Sequence, residues 1–274
     1  MILELAPAKI NLALHVRARR ADGYHELETL FAFLRDGDQI RISPGPASFT
    51  IDGPFGAGLA TEGDNLVTRA MKSFAQTFEI EPEYIIVLTK NLPIASGIGG
   101  GSADAAATLR ALARLNHIAL DDPRLFACAD ALGSDVPACL LGRSAIGTGR
   151  GEQLAPLDGL TDTPVLLVNP GVAVSTAAVF RGWGGKDLGP IGEGPLLDIA
   201  RAGRNDLEPP ARALAPVIGD VLDRLAKTAP SLARMSGSGA TCFALYADGS
   251  ERSRAADAIR AHDPAWWCLE STLA

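Results

Sequence analysis

The chain has 274 residues, of which 47% are hydrophobic, which is enough to bury a sizeable core in one large domain or two medium ones. Its formal net charge of −7 argues against nucleic acid as a partner, because binding a phosphate backbone needs a concentrated basic surface. The chain start has no basic segment followed by a long apolar run, and no apolar stretch reaches about 18 residues. We therefore expect no membrane partner and a cytoplasmic location.

Cysteine and histidine usage gives no sign of a metal centre. The four cysteines form no Cys-x-x-Cys pair, and the four histidines have no ligand spacing. We therefore expect reduced thiols and no zinc. These residues are Cys128, Cys139, Cys242, Cys268, His15, His25, His117 and His262.

Strand-forming residues dominate the first part of the chain. Residues 2–16 and 27–34 contain runs typical of strands, and residues 39–42 and 48–51 predict a hairpin. The β-branched run at 84–89 predicts a further strand.

Helices are predicted on both sides of a glycine-rich segment. Residues 64–78 have apolar positions at helical spacing, with Asp64 as the predicted N-cap. After the glycines, leucines at helical spacing predict a second helix, and residues 123–132 predict a third.

A composition change near the middle of the chain suggests a domain boundary. Residues 154–164 are rich in Pro, Gly, Asp and Thr, so we predict one domain at 1–155 and another at 156–274. The second part is predicted to contain a strand at 165–168, a loop at 182–195, and helices at 211–226 and 251–261, with a closing run at 266–273 that completes an α+β half.

The most informative segment is residues 93–107, where four glycines and Ser102 precede a helix-forming run. Glycine lets main-chain N–H groups approach an anion, and the following helix directs its unpaired N–H groups to the same place. The segment lacks the Lys of a Walker A loop and fits the Rossmann glycine spacing poorly. It predicts a phosphate site, with a ligand-free turn capped by Ser102 as the alternative.

A second segment of small residues occurs at 235–246, but it leads into a strand and so lacks a helix dipole. It suits close backbone approach. A tight turn without a ligand is the alternative.

Two charged residues lie in unusual settings. Lys9 interrupts an apolar run, where a buried charge is costly without a partner, and Asp135 lies in a turn after a helix. If they pair, the carboxylate can accept a hydroxyl proton while the ammonium stabilises the resulting alkoxide. The alternative is a Lys9 that reaches solvent and an Asp135 that caps the turn.

Three segments in this order resemble the motifs of the GHMP small-molecule kinases: Pro-Ala-Lys-Ile-Asn-Leu at 7–12, the glycine segment at 93–107, and Met-Ser-Gly-Ser-Gly-Ala-Thr at 235–241. Arg-Ala-Asp-Gly-Tyr-His at 20–25 and Gly-Ser-Asp-Val-Pro at 133–137 are similar to the branch whose substrate is 4-diphosphocytidyl-2-C-methyl-D-erythritol. The similarity covers nearly the whole chain.

This resemblance implies an α+β, two-domain GHMP kinase fold with an N-terminal nucleotide-binding domain and a C-terminal ferredoxin-like substrate domain. It implies ATP-dependent phosphorylation of the substrate's 2-hydroxyl in the non-mevalonate isoprenoid pathway, with ATP and Mg²⁺ as cofactors. A GHMP kinase for another small alcohol, or a nucleotide-sensing module that has lost its chemistry, is the alternative. The expected partner is the cytidine-diphosphate-linked polyol, and the protein is expected to be a monomer or homodimer.

The resemblance also implies a role for each matching residue. Asp135 is the candidate base, and Lys9 is expected to stabilise the alkoxide. Tyr24 and Phe180 are expected to stack on opposite faces of the cytosine while His25 offers a directional hydrogen bond, with ordinary packing as the alternative. The predicted ATP-binding residues are Asn65, Lys90, Pro93, Gly97, Gly99, Gly100, Gly101 and Ser102, of which Ser102 is also a candidate Mg²⁺ ligand. The predicted substrate-binding residues are Asn11, Tyr24, His25, Phe180, Gly237, Ser238 and Gly239.

Overall fold

The computed structural model describes residues 1–59 and 65–274. The strands, in chain order, are β1 (Ile2–Arg19), β2 (His25–Pro44), β3 (Ser48–Asp52), β4 (Tyr84–Thr89), β5 (Ala145–Gly149), β6 (Gln153–Pro156), β7 (Pro164–Asn169), β8 (Leu232–Met235), β9 (Cys242–Leu245) and β10 (Trp267–Thr272). The helices are α1 (Leu66–Phe78), α2 (Gly100–Leu115), α3 (Pro123–Leu132), α4 (Val136–Leu141), α5 (Thr176–Gly182), α6 (Leu196–Ala202), α7 (Glu208–Leu214), α8 (Val217–Ala226) and α9 (Gly249–His262). This mixture confirms the predicted α+β class. Within the described ranges, no helix is long and apolar enough to cross a membrane.

The chain forms two compact units whose segments alternate along the sequence. Unit 1 contains Met1–Lys9, Asp36–Ile94 and Gly99–Gly142. Unit 2 contains Ile10–Arg35, Ala95–Ile98 and Arg143–Ala274. The division at residues 155 and 156 stays a prediction about the family's domains.

In unit 1, a sheet supports a set of packed helices. The C-terminal part of β2 pairs antiparallel with β4, and β4 pairs parallel with β3. The predicted hairpin between residues 39–42 and 48–51 is therefore wrong, because β4 lies between these two segments. The alanine-rich helix α2 packs against α1, α3 and α4, and its small side chains let the helices come close.

Helix α1 begins at Leu66, and its N-cap stands one residue after the predicted cap. Asn65 occupies the N-cap, where its side-chain Oδ1 accepts a hydrogen bond of 2.9 Å from the N–H of Val67. The predicted cap, Asp64, lies outside the described residues. The helix ends at Phe78 as predicted, and the backbone of Glu79 then turns left-handed with φ of 55°.

In unit 2, a four-stranded antiparallel sheet in the order β10-β7-β9-β8 packs against α8 and α9. The N-terminal part of β2 pairs antiparallel with β5, which pairs with β6. The core of this unit includes the fully buried Val168, Val221 and Ile259. This sheet and its helices carry the second small-residue turn, which lies between β8 and β9.

The helix predicted at 211–226 is wrong, because the segment contains two helices. α7 ends at Leu214 and α8 begins at Val217, with Pro216 at the N-cap. The residue before a proline is sterically pushed out of the helical region, and Ala215 accordingly has φ of −138° and ψ of 85°.

Arg234 on β8 is a buried cation whose hydrogen bonds go to main-chain carbonyls. Its Nη1 donates to the oxygens of Leu12 and Ala200, the latter at 2.7 Å, and its Nη2 donates to the oxygen of Gly203 at 2.6 Å. Burial lowers the pKa of the guanidinium to about 10, which still leaves it charged at neutral pH. Three chain segments are thus joined through one side chain.

Candidate active site

Lys9 and Asp135, both in unit 1, form an ion pair. The Lys9 Nζ lies 2.8 Å from Asp135 Oδ2, with the lysine side chain 3% exposed and the aspartate 35% exposed. Strand β1 holds Lys9, and Asp135 stands at the N-cap of α4 without a capping hydrogen bond from its side chain. The carboxylate can therefore meet a solvent-borne molecule while the ammonium holds it in place.

The N-terminus of α2 follows directly from the glycine segment. Gly99 is the N-cap, with φ of 69° and no side chain to cap the helix, so the first N–H groups of α2 lack an intrahelical acceptor. A Cβ on Gly99 would lie 2.9 Å from the Cε of Lys9. The Lys9 side chain thus passes directly against the turn, and a larger residue at Gly99 would displace it. Ser102, in the first turn of the helix, is half-buried.

Lys90 lies beside this turn in a buried cluster of charges. Its Nζ contacts Asp38 Oδ2, and it lies 2.8 Å from Asp104 Oδ2. Asp38 also accepts hydrogen bonds from the N–H groups of Asn91 and Leu92, at 2.6 and 2.8 Å. A Cβ on Gly100 would lie 3.0 Å from the Lys90 Nζ. The cluster therefore joins the segment before the glycines to the first turns of α2.

The charges in this cluster depend on one another. Burial raises the pKa of Asp104 to about 7, although the nearby Lys90 opposes that shift. Burial would lower the pKa of Lys90, but the Asp104 and Asp38 charges raise it above its ordinary value. Lys90 is therefore ammonium. Its predicted contact with the nucleotide stays a prediction, as do those of Pro93, which is half-buried, and of Asn65, whose side chain caps α1.

In unit 2, Gly97 packs against the second small-residue turn. Its backbone has φ of 78°, and a Cβ there would lie 2.6 Å from the carbonyl oxygen of Gly239 and 2.7 Å from that of Ser236. The Ser236 hydroxyl donates to the Gly97 oxygen at 3.0 Å, and the N–H of Thr241 donates to the oxygen of Ser96 at 3.1 Å. These contacts hold the backbones of the two glycine-rich turns close together, and the approach of a ligand at residues 235–241 stays a prediction.

Asn11 is buried beside the same turn. Its Nδ2 donates to Thr29 Oγ1 at 2.7 Å, and its N–H donates to Ser236 Oγ at 3.2 Å. A Cβ on Gly237 would lie 3.3 Å from Asn11 Oδ1, and the Ser238 hydroxyl lies 2.9 Å from that of Thr176. These contacts fix the turn, and the roles of Asn11, Gly237, Ser238 and Gly239 in substrate binding stay predictions.

An aromatic cluster surrounds His25, also in unit 2. The His25 and Phe180 ring centroids are 4.9 Å apart, and the Trp183 ring meets the imidazole edge-on at 5.8 Å. Within the described residues, His25 Nε2 is buried and has no hydrogen-bond partner. Burial lowers the pKa of His25 below 6.5, and the charge of Arg19 lowers it further, so the imidazole is neutral at pH 7.

The Tyr24 side chain is 52% exposed, and the Arg150 guanidinium lies 5.2 Å from its ring centroid. An exposed ring backed by a cation presents a flat face for stacking. The predicted contacts of Tyr24, His25 and Phe180 with a cytosine stay predictions.

Two family descriptions match this chain: "GHMP kinases N terminal domain" over residues 65–143 and "GHMP kinases C terminal" over residues 193–265. Proteins named 4-diphosphocytidyl-2-C-methyl-D-erythritol kinase are similar over nearly the full length. The one from Rhizorhabdus wittichii is 52% identical, covering 98% of this chain and 94% of its own, and that from Paracoccus denitrificans is 49% identical, covering 99% and 96%. The chain belongs to the GHMP kinase family.

Solved structures agree with this assignment. A crystal structure of 4-(cytidine 5'-diphospho)-2C-methyl-D-erythritol kinase superposes on this GHMP kinase with a TM-score of 0.82 and 38% identity, covering 99% of each chain. The L. major mevalonate kinase in complex with R-mevalonate has a TM-score of 0.71 at 15% identity, which indicates a shared fold. The family and fold predicted from the sequence are confirmed.

Sequence reasoning missed several residues that surround the predicted ones in this GHMP kinase. Asp104 is a charged residue inside an alanine-rich helix, a pattern that signals a buried, partnered charge. Asp38 gave no such signal, because a turn-like Asp-Gly-Asp segment is usually solvated. Trp183 contacts the predicted His25 from a distant part of the chain, and Arg19 lies against the Trp183 ring; nothing in their spacing indicates this.

Proposed function

We propose that this GHMP kinase transfers the γ-phosphate of ATP to the 2-hydroxyl of 4-diphosphocytidyl-2-C-methyl-D-erythritol, giving the 2-phosphate and ADP in the non-mevalonate route to isoprenoid precursors. The observation that carries the proposal is the 52% identity, over nearly the full length of both chains, to a kinase with that name. The aromatic cluster at His25 supports the proposal. A nucleobase can stack on aromatic rings and hydrogen-bond to an imidazole nitrogen, whereas a polyol without a base offers no ring to stack.

Lys9 and Asp135 are the groups that we assign to the transfer step. The Asp135 carboxylate accepts the proton of the 2-hydroxyl, and the oxygen then bonds to the γ-phosphorus as the bond to the β,γ-bridging oxygen breaks and ADP leaves. Lys9, held 2.8 Å from Asp135, orients the carboxylate and offers positive charge to the developing alkoxide. Because the lysine is buried and the aspartate is partly exposed, the carboxylate is the partner that reaches the substrate.

The glycine segment and the start of α2 fit a nucleotide phosphate. Gly99 leaves the N–H groups of the first helical turn uncapped, and the 16-residue helix adds its positive dipole end. Mg²⁺ usually takes much of its coordination from phosphates and water, so one hydroxyl such as that of Ser102 suffices from the protein. In the part of the chain that the structure describes, no group of three His, Cys, Asp or Glu side chains could hold a metal. The bound ion would polarise the γ-phosphate and neutralise its charge.

Tyr24 and Phe180 are proposed to stack on the cytosine, with the neutral His25 reading its edge. The exposed Tyr24 ring and the half-buried Phe180 ring offer the flat faces. The four cysteines are free, which supports a reducing compartment such as the cytoplasm as the proposed location.

A substrate panel tests the proposal. Purified protein with ATP and Mg²⁺ is given the complete substrate, methylerythritol 4-phosphate without the cytidylyl group, and mevalonate, and ADP release is measured. We expect turnover with the complete substrate alone. Equal turnover of mevalonate, or of the compound lacking cytidine, would instead favour a GHMP kinase for another alcohol.

Substitutions at the ion pair test the mechanism. Asp135→Asn removes the proton acceptor and Lys9→Ala removes the charge beside the alkoxide, so kcat should fall about 10²- to 10⁴-fold in each variant. Circular dichroism and urea unfolding check that both variants fold. Retention of full kcat in both folded variants would exclude this pair from the transfer step.

A further inference from the structure

We propose, resting on the function above, that Asn205 is a positioning residue that holds the turn at residues 235–239 in the shape that receives the diphosphate-bearing substrate. Asn205 lies outside the segments that resemble the family motifs. It acts through the turn and needs no contact with the substrate.

The Asn205 side-chain amide is buried and directed at the turn. The residue is 6% exposed, and its Nδ2 donates to the carbonyl oxygens of Met235 and Gly237, each at 2.8 Å. An amide nitrogen has two hydrogens, so both are used. Two oxygens on either side of Ser236 are thereby held on one nitrogen, which fixes the curvature of the turn.

Asn205 is itself held in place by its neighbours. Its Oδ1 accepts a hydrogen bond of 2.9 Å from the N–H of Leu207. On the main chain, the N–H of Leu14 donates to the oxygen of Arg204 at 2.8 Å, and the N–H of Asp206 donates to the oxygen of Leu14 at 2.9 Å. Strand β1 therefore fixes the backbone on both sides of Asn205, and the amide acts on the turn from a rigid support.

The direction of the two carbonyl groups matters for a negatively charged substrate. A main-chain oxygen carries partial negative charge and repels a phosphate group. The oxygens of Met235 and Gly237 point at Asn205, so they do not face the diphosphate that the proposed substrate carries. Gly237 allows this with φ of 55°, a left-handed angle that favours glycine. Without the amide the turn is free to adopt other shapes, and substrate binding has to restore the competent one.

Asn169 provides a matched comparison. It is 3% exposed, and its Oδ1 accepts a hydrogen bond of 2.7 Å from the N–H of Gly171, two residues on, as that of Asn205 does from Leu207. Its Nδ2 donates to Thr241 Oγ1 at 2.8 Å. The two asparagines thus make the same kinds of contact, but Asn205 holds the main chain of the turn, whereas Asn169 holds a side chain beyond it.

The test compares Asn205→Ser with Asn169→Ser. Serine keeps an oxygen that can accept the hydrogen bond from the N–H two residues on, and it removes the Nδ2 donor. In Asn205→Ser we expect KM for the cytidine-linked substrate to rise about tenfold, with KM for ATP and kcat changed less than about twofold. In Asn169→Ser all three constants should stay within about twofold of those of the unmodified protein. If Asn205→Ser fails to fold, Asn205→Thr fills more of the space and carries the same expectation.

Hydrogen exchange of the 235–241 segment, followed by mass spectrometry, needs no substrate. It should be about tenfold faster in Asn205→Ser than in Asn169→Ser. An unchanged KM in Asn205→Ser, an equal rise of KM in both variants, or equal exchange in both would overturn the role of Asn205. If the unmodified protein does not phosphorylate the cytidine-linked substrate, the proposed function fails, while the exchange comparison still decides whether Asn205 holds the turn.

Discussion

Lys90 shows how much a single residue can organise in this protein. Its ammonium lies between Asp38, which is fully buried, and Asp104, which is 4% exposed, so one cation pairs with two carboxyl groups. Taking such charges out of water costs several kcal/mol for each ion, and their attraction offsets this only while all partners are present. Loss of Lys90 should therefore lower the free energy of unfolding much more than loss of a lysine from an exposed ion pair.

The variant Lys90→Met tests this sensitivity. Because it leaves Asp38 and Asp104 buried together without a cation, we expect a loss of about 3–5 kcal/mol in the free energy of unfolding, measured with urea. Lys72→Met on the exposed face of α1 is the matched control and should change stability by less than about 0.5 kcal/mol. Equal stability of the two variants would show that the cluster contributes nothing.

At the same scale, the sequence predicted the Lys9 and Asp135 pair but not the partners of Lys90. The apolar run around Lys9 also allows a lysine that reaches solvent, and it is the resemblance to the family that pairs Lys9 with Asp135. The sequence around Lys90 does not indicate that the side chain is buried or paired. The residue follows a strand and precedes a glycine segment, where an exposed lysine is common. Its partners come from β2 and α2, and only the folded chain brings them together.

Among the elements, the glycine segment combines two different requirements. Gly97 needs both a left-handed backbone and space, because the carbonyl oxygens of Ser236 and Gly239 lie within 3 Å of where a Cβ would be. Gly185 has almost the same φ, 79° against 78°, but nothing lies within 4 Å of a Cβ there. This pair of glycines separates the cost of the backbone angle from the cost of the close approach.

We expect Gly185→Ala to lose about 1 kcal/mol of unfolding free energy from the backbone angle alone. Gly97→Ala should lose about 1–3 kcal/mol more, because its methyl group would force Gly97 away from the 236–239 turn. Urea unfolding monitored by tryptophan fluorescence measures both. Equal losses in the two variants would mean that the two backbones separate without cost.

Sequence patterns predicted the type of most elements but not how they are connected. β2 is one strand of 20 residues although the sequence predicts separate runs at 27–34 and 39–42, and it pairs with β4 and β5. Strand pairing depends on contacts between distant segments, which local propensity does not encode. Short helices such as α4 and α6 contain too few turns for periodicity to reveal them.

For the whole molecule, two buried groups give opposite dependences of stability on pH. Burial, followed by the Arg204 charge, lowers the pKa of His15 below 6.5, although Gly189 O, Asp206 and Glu28 oppose this. The neutral form of His15 contributes to stability above about pH 6.5. This contribution is lost as the pH falls through the pKa that His15 has in the folded state, because the unfolded chain takes up the proton more readily. Asp104, with its pKa raised from 3.8 to about 7, contributes most below 3.8 and loses that contribution as the pH rises toward 7.

Urea unfolding at about pH 7.5 and about pH 5 separates the two groups. Relative to the unmodified protein, His15→Gln should lose less stability on acidification, since its side chain takes up no proton in either state. Asp104→Asn should lose more on acidification, because it lacks a carboxyl that the folded state protonates more readily. A pH dependence identical in all three proteins would contradict both assignments.

Arg234 has a further consequence for behaviour in acid. An ion pair between side chains depends on a carboxylate, which becomes neutral when it takes up a proton. The hydrogen bonds from Arg234 go to the main-chain oxygens of Leu12, Ala200 and Gly203, which have no acidic form in this range. Main-chain oxygens take the place of water around this cation. The hydrogen bonds that join β1, β8 and the end of α6 therefore persist at a pH low enough to protonate the carboxylates of the ion pairs.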